Sequence, residues 1–315
     1  MHNLIKVIYI LIIATVAAMA APPSPNRVRC SAGREAGHPE CCKWFDVREE
    51  IQDRLFNRSC GADVRKSIRI QWHDANAFSH TGGLKSGGGA DGSILAHAIE
   101  LAYPANVGLS DIVERQGALA LKHSVSFGDF IQFASAVGLS NCEGAPRLTF
   151  LAGRPNASRA ADDGLVPAPW HSADTLSARM ADAGFAPHEL VALLAGHSVA
   201  TQQTVDASVA GTPLDSTPRT FDNAFFVETQ ARGTVCPGAA LHKGEALSSS
   251  PHELRLQSDG ALARDPRTAP TWKRFAEDQV EMARQFANAM AKLSVVGQDA
   301  ASLVDCTDVV PRWRT

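Results

Sequence analysis

Along most of this chain the apolar residues recur at three- and four-residue spacing, and almost nowhere do they alternate. That period places them on one face of a helix, whereas a strand would need a period of two. Residues 44 to 56 (WFDVREEIQDRLF), 126 to 139 (SFGDFIQFASAVGL) and 272 to 296 all keep it, and LRLQ at 254 to 257 is the best short exception. Pro187 opens HELVALLAGHSVA as a first-turn proline, and Ser110-Asp111 and Ser126 stand where helix N-caps do. Gly- or Pro-rich joints at 82 to 92, 144 to 169 and 211 to 220 separate these stretches. The pattern predicts a mainly α fold of two helical halves with minimal β. The 315 residues, 45 % of them hydrophobic, suffice for one large core or two packed halves. A net charge of -3, with no basic run, gives no reason to expect a nucleic-acid partner.

The N-terminus, MHNLIKVIYILIIATVAAMAAP, has one Lys before a short apolar run and small residues near Ala20. It reads as a secretory signal peptide over 1–20 and not as a membrane anchor, because the run is short and no second span follows. One secreted domain over 21–315 would remain. Cysteines stand at 30, 41, 42, 60, 142, 236 and 306, scattered and not in CxxC pairs, which argues for disulfides over a zinc cluster and leaves one thiol over. Asn57-Arg58-Ser59 and Asn156-Ala157-Ser158 are glycan acceptor triplets.

Four segments carry chemistry, each beside a plainer alternative. In SIRIQWHDANAFS, 67 to 79, Arg69 and His73 are one helical turn apart with Asp74 directly behind; they are either satisfied at a helix end or form the wall of a site. GGGADGS at 87 to 93 lacks the Gly-Lys-Ser/Thr ending of a phosphate loop. It is a plain turn, or a hard-cation loop in which Gly89, Asp91 and Ser93 offer oxygens and Asp74 another. LLAGHSVA ends an apolar helix on His197, a structural histidine or a metal ligand whose second nitrogen needs an acceptor. DSTPRTFD, 215 to 222, is turn material or a second calcium loop.

Taken together, RIQWHDA, GGGADGS, PAN at 104 to 106, GHSVA, DSTPRTFD and RLQSD at 255 to 259 resemble the secreted fungal, or class II, haem peroxidases of the plant-peroxidase superfamily. The likeness runs in order from Cys30 to about Pro311. It implies a single haem b between the two helical halves. His73 would be the acid–base residue for hydrogen peroxide, Arg69 the cation that steadies charge as the O–O bond breaks, and Asn106 the acceptor that fixes the His73 tautomer, with Glu100 behind it. His197 would ligate the iron and Asp259 would hold its other N–H. A distal calcium would use Asp74, Gly89, Asp91 and Ser93; a proximal one Ser198, Asp215, Thr217, Thr220 and Asp222. The implied disulfides are Cys30–Cys42, Cys41–Cys306 and Cys60–Cys142. Cys236 is left over, because Pro270 stands where a fourth bridge normally has cysteine.

Absent residues choose the branch. Where manganese-oxidising members carry carboxylates, this chain has Ala62, Lys66 and Gln203, poor partners for a hard divalent ion. Where lignin-type members carry an exposed tryptophan, it has Ala192. What remains is the generic branch, a monomer oxidising small phenolic or aromatic donors at the haem edge. Trp72 replaces the usual phenylalanine before the distal histidine. The alternatives are a lignin- or manganese-type enzyme and a non-catalytic, secreted, calcium-binding helical protein; a zinc hydrolase built on His73 and His197 lacks HExxH.

Overall fold

The computed structural model describes residues 27–83, 86–157 and 159–313, and the signal-peptide reading lies outside them. Among the described residues the three–four spacing becomes eleven α-helices, while β structure is confined to three ribbons of two-residue strands. The expected mainly α class is the one the chain adopts.

In the first half, α1 (Trp44–Ile51), α2 (Ala62–Ala75), α3 (Ser93–Ala96) and α4 (Ser110–Lys122) surround α5 (Phe127–Leu139). Every residue of α5 from Gly128 to Leu139 is buried; the helix is mostly apolar, and its buried Asp129 and Gln132 are met by Arg154 and Gln71. Trp44, Phe133 and Phe150 pack there with centroids 4.7–4.8 Å apart. In the second half, α6 (Ala173–Asp182) packs on α7 (Pro187–Leu193) and α9 (Gln257–Leu262), α7 on α10 (Ala269–Glu277) and α11 (Gln279–Leu293), and α8 (Ala224–Gln230) on α9 and α10. Phe226 sits between Phe225, Trp272 and Phe275 at 5.0–5.4 Å. Each half thus has its own aromatic centre.

Several boundaries differ from the sequence expectation. The helix expected over 44 to 56 is α-helical only to Ile51; Gln52–Phe56 widen into a π turn that Asn57 ends at φ 48°. The 272 to 296 run breaks at Asp278, whose carboxylate accepts the Glu281 N–H at 2.9 Å and caps α11. Ser110 is the first residue of α4 and not its cap, whereas Ser126 caps α5 through the Asp129 N–H at 3.2 Å. LRLQ contributes only Arg255–Leu256, paired antiparallel with Glu245–Ala246.

The disulfides are Cys30–Cys42, Cys41–Cys306 and Cys60–Cys142, with Cys236 free. Cys41–Cys306 joins residues 265 positions apart, the kind of closure that most restricts an unfolded chain. Replacing both by serine is expected to lower stability by about 2–5 kcal/mol. The change should be read from the denaturant midpoint and slope together, since a freer unfolded chain also steepens the slope; an unmoved extrapolated stability would deny the bridge this role.

Candidate active site

Arg65, Arg69 and His73 follow one another at four-residue spacing on α2, so one stripe of the helix carries all three. Arg65 clamps the helix to the second half, donating from Nε to the Val199 carbonyl at 2.9 Å and from Nη2 to the Pro218 carbonyl at 2.7 Å. One turn on, Arg69 donates from Nε to His73 Nε2 at 3.2 Å and from Nη2 to the Ala105 carbonyl at 2.6 Å. On the far side of the ring, His73 Nδ1 lies 2.6 Å from Asn106 Oδ1. An amide oxygen can only accept, so the hydrogen sits on Nδ1 and Nε2 keeps its lone pair.

Electrostatics holds the ring in that state. Burial first, then the Arg69 charge, push the His73 pKa down to about 3, against the Asn106 bond. Burial lowers Arg69 only to about 10, so it stays a cation at neutral pH. The Asn106 amide in turn donates to the Glu100 carbonyl at 2.8 Å. The Glu100 carboxylate takes no part in that bond; it accepts the Ala161 N–H at 3.0 Å. The expected network therefore passes through main chain at this residue. Trp72 is half-buried at the edge of the core.

His197 does not end an α-helix as expected. The helix α7 stops at Leu193, and His197 rides a 3-10 turn over Leu194–Val199. Its Nδ1 lies 3.0 Å from Asp259 Oδ2, on α9. Burial opposes protonation of His197, but the charge of Asp259 and the hydrogen bond to it outweigh burial and raise its pKa. The ring keeps 29 % of its surface open although Asp259 beneath it keeps only 2 %. That opening leaves Nε2 available to a ligand. A Cβ on Gly196 would stand 3.7 Å from Ile68 on α2, so the two histidine-bearing segments pack against each other.

Of the two oxygen-rich loops, the first lies against α2. Asp74 accepts the Gly92 N–H at 3.0 Å, and Asp91 accepts the Ser93 N–H at 3.0 Å. Gly89 turns at φ +79°, where a Cβ would lie 2.2 Å from the Val296 carbonyl; no other residue fits. Burial, then Asp91, pushes the Asp74 carboxyl far above the usual range, and burial also raises Asp91. In the second loop Thr217 donates its N–H to Asp215 and its hydroxyl to Asp222, both at 3.0 Å, and the Thr220 N–H closes on the Thr217 carbonyl at 2.8 Å. Burial pushes Asp215 up to about 8, with Asp222, Glu228 and Glu253 adding to it against the Thr217 N–H.

Among the described residues Ser93 Oγ, Ser198 Oγ and Asp215 Oδ2 are buried with no hydrogen-bond partner. Orphaned oxygens beside carboxyl groups pushed up by burial are the donor chemistry a calcium ion satisfies. Among the described residues no three His, Cys, Asp or Glu side chains converge, so either loop would have to draw on hydroxyl and carbonyl oxygens as well. Sequence reasoning missed Arg65, although its four-residue stagger with Arg69 and His73 was there to be read.

A buried, neutral histidine beside a cation, and a second histidine held by aspartate, are the groups expected above of a haem peroxidase. The chain belongs to that family: the peroxidase model matches residues 46–278, and the fungal peroxidase extension region matches 281–314. It is similar to a peroxidase of Arthromyces ramosus, 46 % identical over 94 % of this chain and 84 % of the relative. A Coprinopsis cinerea peroxidase is 45 % identical over 98 % and 86 %. Ligninase B of Phanerodontia chrysosporium is 46 % identical over 96 % and 83 %. The chain is therefore a peroxidase, an oxidoreductase acting on hydrogen peroxide, and its family implies haem. Near-equal identity to peroxidases and a ligninase leaves the donor to be argued from individual side chains.

Proposed function

We propose a secreted, monomeric peroxidase with one haem b and two calcium ions that oxidises small phenolic or aromatic donors. The observation that carries the reading is the Arg69–His73–Asn106 relay, at 3.2 and 2.6 Å, paired with His197 on Asp259 at 3.0 Å. Bound through His197 Nε2, the haem supplies the oxidising power. His73, neutral and with no hydrogen on Nε2, takes a proton from one oxygen of hydrogen peroxide and returns it to the other. Arg69, fixed by the Ala105 carbonyl, stabilises negative charge as the oxygens part. Asp259 keeps the His197 hydrogen on Nδ1. Two donors, each losing one electron, balance one peroxide reduced to water. Asp74 adjoins His73 and Ser198 adjoins His197, so each calcium loop braces one histidine.

Manganese-type and lignin-type donor sites find no support. Lys66 is engaged by Asp111 at 2.7 Å, Gln203 donates to Thr201, and Ala192 is 2 % exposed. Purified protein is expected to have a Soret band and to turn over a small phenol, with no activity on Mn(II) or a non-phenolic aromatic. Colourless folded protein, or comparable turnover of Mn(II), would overturn the reading. Of the two sequons, Asn57 is exposed and open to a glycan; Asn156 accepts the Phe127 N–H at 3.3 Å, and Ser158 lies outside the described residues.

A further inference from the structure

A small cleft of about 10 Å³ is lined by His73, Tyr103, Ala105, Asn106 and residues 161–166, with Asp162 and Asp163 on its exposed edge. We propose that Asp162 and Asp163 form an anionic rim on this cleft that selects cationic aromatic donors over anionic ones of equal size. The proposal rests on the donor reading above and names the charge class of that donor.

The rim is held in place at both ends. Ala161 is buried; its N–H is held by the Glu100 carboxylate at 3.0 Å and its carbonyl by the Tyr103 hydroxyl at 2.8 Å. Beyond the turn at Gly164, the Leu165 carbonyl accepts Arg179 Nε at 2.7 Å. Between these anchors Asp162 and Asp163 are exposed, and neither forms an ion pair among the described residues. Asp163 only accepts the Gly164 N–H, at 2.7 Å.

Among the described residues no cation is paired with either carboxylate. Arg179 answers to Asp182 at 3.3 Å, and Arg159 donates to the Ser86 carbonyl. Arg69 lies deeper, bonded to Ala105 and His73, so a donor arriving from solvent meets the aspartates first. Both charges reach into the cleft wall, where they help raise the Tyr103 pKa after burial and Glu100. Charges at a cleft mouth concentrate ligands of opposite sign and repel those of like sign.

The test compares three para-substituted phenols of similar size on the haem-loaded enzyme: tyramine (cationic), tyrosol (neutral) and 4-hydroxyphenylacetate (anionic). At low ionic strength kcat/KM should fall in that order, with about tenfold between the extremes, and 0.5 M salt should compress the spread. Donor binding without peroxide, read from NMR line broadening, should follow the same order. The Asp162→Asn/Asp163→Asn double variant should narrow both spreads while its Soret band is unchanged. An order indifferent to donor charge, or a spread untouched in the double variant, overturns the rim. If no phenol is oxidised the donor reading fails, and the binding order still decides the rim.

Discussion

His73→Leu is expected to slow the reaction with hydrogen peroxide by about 10³-fold, the scale at which a positioned acid–base group contributes. The measurement is the second-order rate on mixing enzyme with peroxide, checked against an unchanged Soret band so that a folding defect is not mistaken for chemistry. The pH profile is the sharper readout. A histidine is a base only while neutral, and burial and Arg69 push this one down to about 3. The wild-type rate should therefore be flat from pH 4 to 8 and fall only as pH drops through about 3. Arg69→Leu removes charge stabilisation worth about 10²-fold. It also removes one of the two forces depressing the imidazole, so the falling limb should move to higher pH. A His73→Leu enzyme within tenfold of wild type would remove that histidine from the chemistry.

Much of this was legible because helical spacing is a local signal. Arg69 and His73 announce a shared face by being four residues apart, and α5 announces its burial by being mostly apolar. Other features were legible and passed over. Asp278 and Glu281, three apart, carry the residue types of a capping box, and the helix expected over 272 to 296 breaks there. The stagger of Arg65 was legible in the same way, but what it grips was hidden. Its partners are the carbonyls of Val199 and Pro218, and every residue owns a carbonyl, so no side-chain pattern marks the acceptor. Glu100 misled in the same way: its main-chain oxygen, and not its carboxylate, meets Asn106. Periodicity reports which face is buried. It does not report which backbone group a long polar side chain reaches on the far half of the molecule.

Removal of the proposed calcium is the second large effect expected, and its sign depends on pH. Without a cation, burial holds the Asp215 carboxyl up at about 8 in the folded state, against about 3.9 in an unfolded chain. Between those values the folded form binds the extra proton, so the stability of the calcium-free protein falls as pH rises through that window. A bound calcium reverses this, because it needs the carboxylate ionised. The stabilisation that calcium confers should therefore grow with pH from about 4 to 8. At a hundredfold excess over Kd one site contributes about 2.7 kcal/mol, a shift of roughly 4–5 °C in Tm for a chain of this length. Melting curves in EDTA and in excess calcium, run side by side at several pH values, should diverge toward alkaline pH. Asp215→Asn should close most of that divergence, since an amide has no proton to exchange for the cation, and peroxide turnover should fall in parallel as the turn carrying His197 loosens beside Ser198. Parallel curves with a constant gap would place the calcium response away from Asp215.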